Sequence, residues 1–125
     1  MKYDLAIAYR IYPGNPKIPA IVYPQDKYNL SKLCFYSLIQ ALGNLRVKFY
    51  IILDSCPHYE SIFREFVSDD DLIVDNRIKA GNPKTFEIQI HWLCSQRYSS
   101  NVFLAEDDYL YRASSIHCCL EFLRG

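Results

Sequence analysis

Val47-Lys48-Phe49-Tyr50-Ile51-Ile52-Leu53 is a run of seven residues rich in β-branched and aromatic side chains, closed by Asp54-Ser55. Such a run reads as a strand. On either side of it the apolar residues fall at helical spacing. Upstream, Leu30, Leu33, Cys34, Leu38, Ala41 and Leu42 share one helical face, with Asn29 as the expected N-cap and Gly43 as the stop. Downstream, Tyr59, Ile62, Phe63, Phe66 and Val67 mark one face of a short helix, and Pro57 stands near its first turn, where proline is tolerated.

Further out the alternation continues. Asp4 to Tyr9 is a short apolar run, ended by the turn residues Tyr12-Pro13-Gly14-Asn15-Pro16. Leu72 to Val74 is a brief strand. Asn82-Pro83 opens a third helix, whose predicted inner stripe is Phe86, Ile90, Leu93 and Cys94, with Ile88 and Trp92 off the stripe. Val102 to Ala105 is a strand that runs into Glu106-Asp107-Asp108. Ile116, Leu120 and Leu123 predict a last helix, with the adjacent Cys118-Cys119 packed in it. Strands alternating with helices imply one α/β domain over residues 1–125. The expected architecture is doubly wound and Rossmann-like: a mostly parallel sheet of about four strands, with helices on both faces.

Composition narrows the function. Fourteen basic and fourteen acidic side chains cancel, which argues against nucleic acid and against a polybasic membrane patch. Half of the 125 residues are hydrophobic, so a core forms without metal or disulfide staples. The five cysteines are odd in number and contain no CxxC pair, which fits reduced thiols and a cytoplasmic protein. No apolar run is long enough for a membrane span. Glycines at 14, 43, 81 and 125 cannot form a dinucleotide or P-loop fingerprint. His58, His91 and His117 have no shared metal spacing, and Asp69-Asp70-Asp71 reads as a solvated run.

In a doubly wound sheet, ligands bind beyond the carboxyl ends of the strands, where the winding reverses. The residues expected there are Tyr9-Arg10, Asp54-Ser55, Asn76-Arg77 and Glu106-Asp107-Asp108. In an extended segment Glu106 and Asp108 share a side and Asp107 faces the other. Two carboxylates on one side repel unless a proton or cation lies between them. An oxygen-preferring ion, Mg²⁺ or Mn²⁺, would satisfy such a pair. The bland alternative is an acidic loop that caps the helix starting near Ser114.

This layout resembles the nucleotide-binding half of a GT-A-fold glycosyltransferase of the family 2 type. Leu5 to Tyr9, Val47 to Asp54, Leu72 to Asn76 and Val102 to Asp108 match the order of its strands, the last ending in a D-x-D-like motif. The resemblance implies transfer of a sugar from a nucleotide-sugar donor to a glycan, lipid or protein acceptor. It implies Asp108 as a ligand of Mn²⁺ or Mg²⁺, with Glu106 near the metal or the ribose. Asp54 would contact the nucleobase, Tyr9 would line the base pocket, and Asp107 would join the donor contacts. Arg10, Lys79 and Lys84 would meet the diphosphate, near the helix start at Asn82. The acceptor site and general base would lie beyond this chain. Two departures stand out: the motif is Glu-Asp-Asp, and Arg10-Ile11-Tyr12-Pro13 follows the first strand. The alternatives are a donor-binding module without turnover and a phosphoacceptor domain using Asp54. The latter needs an acidic pair where Tyr9-Arg10 stand.

Overall fold

The computed structural model describes residues 2–13, 23, 26–76, 78–79, 81–107 and 109–124. Four strands, β1 (Leu5–Ile11), β2 (Val47–Leu53), β3 (Leu72–Asp75) and β4 (Val102–Glu106), alternate with four helices. These are α1 (Lys27–Leu42), α2 (Glu60–Phe66), α3 (Asn82–Ser95) and α4 (Ser115–Arg124). All pairings are parallel and the spatial order is β3-β2-β1-β4. This is the α/β, Rossmann-like architecture expected from the alternation.

The winding runs from β1 outward to β3, then crosses back to place β4 on the other side of β1. Reversal of direction puts α3 on the face opposite α1 and α2, as right-handed crossovers require. Strand pleating divides the side chains accordingly. Ile7, Tyr9, Ile11, Phe49, Ile51 and Leu53 pack with Phe35, Leu38, Ile62 and Phe63 of α1 and α2. Ala8, Tyr50 and Ile52 face Leu93, Ile88 and Trp92 of α3. The first face is aromatic: the Phe35 ring lies 4.7 Å from Phe63 and 5.3 Å from Tyr9, edge to face. Each such pair adds about 0.5–1.5 kcal/mol beyond its buried area.

Local chemistry moves several boundaries. Asp26, not Asn29, caps α1: its Oδ1 accepts the Asn29 main-chain N–H at 3.1 Å. β1 runs two residues past Tyr9, so Arg10 lies inside the strand, paired with Glu106 of β4 and Ile52 of β2. The inner face of α3 is not the expected stripe. Phe86, Ile90 and Cys94 are exposed, whereas Thr85 and Gln89 are fully buried beside Leu93. The reason is a polar suture. Gln89 Nε2 donates to the main-chain oxygens of Ala8 (3.0 Å) and Ala105 (3.1 Å), which offsets the cost of burying its NH₂ group, while its Oε1 is buried with no partner among the described residues. Cys118, Cys119 and Leu123 of α4 are exposed, and Leu120 alone of that helix is buried. Gly43, in the left-handed region at φ 60°, ends α1 where the His117 ring comes within 3.6 Å of the space a Cβ would occupy.

Candidate functional site

β1 and β4 end side by side at the reversal of the winding. Arg10 is 8 % exposed, which for a guanidinium demands compensation. Its Nη1 lies 3.5 Å from Glu106 Oε1, across the paired ends of the two strands. Its Nε–H is buried and has no acceptor among the described residues. The Glu106 side chain is 30 % exposed. A guanidinium with an unused donor therefore sits beneath a half-open carboxylate. That is chemistry suited to an anionic group of a ligand.

Asp107 is turned to the other face, as pleating requires. Its Oδ2 meets Lys27 Nζ of α1 at 2.8 Å, with both side chains more than nine-tenths buried. Asp54, after β2, is 1 % exposed. Its Oδ2 accepts the Gly81 N–H at 3.0 Å and its Oδ1 accepts the Ser55 hydroxyl at 3.3 Å. Gly81 adopts φ 76°, which favours glycine, and caps α3. Ser55, at φ 64°, donates its N–H to the Ile78 oxygen. Together these contacts fix the approach to α3. Cys56 adds a measure of the local field. Burial first, then the carboxylates of Asp107 and Asp54, push its thiol up to about 12, with Lys27 opposing.

The remaining expectations divide. Tyr9 is wholly buried among Phe35 and Phe63, so its ring packs the core instead of lining a base pocket. Asp54 is equally inaccessible. Its carboxylate shapes the loop before α3, and it presents no open face to a nucleobase or a phosphoryl group. Lys79 and Lys84 are both exposed, and Lys84 pairs with Glu87 at 3.5 Å. Asn76 donates to Glu60 at 2.8 Å. Asp108 and Arg77 lie outside the described residues. Among the described residues, no three His, Cys, Asp or Glu side chains form a metal-binding group. Lys27, Gly81, Thr85 and Gln89 were not expected at this end of the sheet. Asp26-Lys27 preceding an amphipathic run was the one available signal. A glutamine or threonine within a helix reads as solvated.

No family model matches the chain, and no curated protein or solved structure is significantly similar to it. Among the described residues, no helix is long and apolar enough to cross a membrane.

Proposed function

We propose that the crevice at the carboxyl ends of β1 and β4 binds a nucleotide-sugar donor, as the donor half of a glycosyltransferase-like protein. The observation that carries this reading is the buried Arg10 guanidinium, with its unused Nε–H, at the reversal point of a parallel sheet. A pyrophosphate offers acceptor oxygens to the one-tenth of the Arg10 side chain that stays exposed. Arg10 is then the diphosphate contact and Glu106 the neighbouring carboxylate. Asp54 acts at one remove, by holding Gly81 and with it the start of α3. Asp107, committed to Lys27, anchors α1 to the end of β4 and stays outside the ligand contacts.

In this reading Glu106 and Asp108 hold Mg²⁺ or Mn²⁺, which when bound would stabilise the departing nucleoside diphosphate as a Lewis acid. Glu106 fits that role in being half-open, with only a long contact to Arg10.

The test is a thermal-shift panel of UDP-, GDP-, CDP- and dTDP-sugars, with and without Mn²⁺. One nucleotide sugar should raise the melting temperature, and Arg10→Met should abolish the rise. Dependence on Mn²⁺, lost in Asp108→Ala, would support the metal. A panel without any shift, or a shift untouched by Arg10→Met, sinks the reading.

A further inference from the structure

The amino-terminal edge of the sheet, far from the strand ends just described, carries a second charge imbalance. Lys48 is the second residue of β2 and is 8 % exposed. Its ammonium donates to one acceptor, the main-chain oxygen of Asp70, at 2.7 Å. It otherwise faces rings, 4.8 Å from the centroid of Tyr98 and 5.7 Å from that of Tyr3. Among the described residues no carboxylate pairs with it. Buried cations are ordinarily paired, and ring faces compensate only part of the lost hydration.

The surroundings add to the positive field. A cleft of about 460 Å³ opens over Lys48, lined by Lys2, Tyr3, Lys48, Asp70, Arg97 and Tyr98. Three cations thus face one carboxylate. Arg46 stands over the Tyr3 ring at 5.0 Å, but Asp71 neutralises it at 3.7 Å. Arg97 is exposed and unpaired among the described residues. The rings are arranged as a wall: Tyr3 meets Tyr98 edge to face at 5.7 Å, Tyr98 stacks on Trp92, and Trp92 stacks on Tyr50. Tyr98, 36 % exposed, is the open end of that ladder.

We propose that this cleft is a binding site for a phosphorylated ligand with a planar ring, of the size and chemistry of a nucleoside monophosphate. The phosphate meets Lys48, with Lys2 and Arg97 at the mouth, and the ring lies against the tyrosine wall. The volume is within the range of small-molecule sites, and aromatic side chains beside cations are how proteins hold isolated nucleotides. The site stands apart from the donor crevice and does not depend on it.

Trp92 is the single tryptophan, and it stacks on Tyr98, so its fluorescence reports the cleft. Titration with uridine and adenosine 5′-monophosphates should change that fluorescence saturably. Inorganic phosphate should bind more weakly and the unphosphorylated nucleosides more weakly still. Arg97→Ala should weaken nucleotide binding by about tenfold, the loss of one charge-assisted contact. Lys48→Met should abolish binding while the protein still melts cooperatively, and Arg10→Met should leave it intact. The exposed Arg97 keeps the test valid if Lys48→Met fails to fold. Absence of saturable binding overturns the proposal. So does equal affinity for phosphate and nucleotide, or binding lost in Arg10→Met and retained in Arg97→Ala.

Discussion

The Lys27 ammonium lies 2.8 Å from the Asp107 carboxylate, joining the first residue of α1 to the residue after β4, with both side chains almost wholly buried. Removing one member strands the other charge in a dry environment, which costs about 3–5 kcal/mol. Lys27→Met should therefore lower unfolding stability by that order in urea denaturation. Lys27→Met with Asp107→Leu should recover most of the loss. A single variant as stable as the native protein would show that the pair is hydrated.

Asp54 and Gly81 are coupled through one hydrogen bond, and two substitutions separate its parts. Asp54→Ala leaves the Gly81 N–H without its acceptor and should cost about 1–3 kcal/mol. Gly81→Ala meets no atom within 4 Å, so only the backbone at φ 76° and ψ 178° resists it, at about 1–3 kcal/mol. Both losses should coincide with faster amide exchange in the first turn of α3. Unchanged exchange in Asp54→Ala would rule out the loop-holding role.

Alkaline pH should destabilise the fold. Burial, aided by the Asp75 carboxylate, raises the Tyr50 phenol from 10.0 to about 12. Burial likewise raises Tyr111 to about 12, and Cys56 from 9.0 to about 12. Each folded-state value lies above the unfolded one, so the native state favours the protonated form. Its contribution is complete below pH 9.0 and is lost as the pH rises from there through about 12. Stability measured by denaturant should fall monotonically across this window, and Tyr50→Phe should make the fall shallower. A flat profile would contradict the burial of these groups.

Thiol reactivity should divide the cysteines cleanly. Cys94, Cys118 and Cys119 are exposed, whereas Cys34 and Cys56 are buried. At neutral pH a disulfide reagent should titrate three thiols in the native protein and all five after unfolding. Rapid labelling of Cys56 would mean that the end of β2 opens readily.

The alternation of strand and helix was legible because its periodicities survive in the apolar residues alone. β2 was bounded correctly, from Val47 to Leu53, because polar residues flank a strongly strand-forming run. The site was harder to read. Arg10 looked like the end of β1, since a charge after an apolar run marks a boundary unless a partner strand brings an opposite charge. Glu106 supplies it, 96 residues later in sequence and 3.5 Å away in space. The face of α3 was misread for a similar reason. Thr85 and Gln89 are polar, and only the carbonyls of Ala8 and Ala105 make the interior hospitable to Gln89. The opposite orientations of Glu106 and Asp107 were legible, because alternation along a strand needs no tertiary knowledge.

Gln89 has a mechanical consequence. One carboxamide nitrogen spends both of its hydrogens on neighbouring strands, so it acts as a rivet of fixed span between β1 and β4. Prying the two apart would tear at least one of these bonds in a water-poor interior. The spacing of the two strand ends, where Arg10 pairs with Glu106, is thereby held from inside the sheet, so a pull on one strand is felt at once by the other.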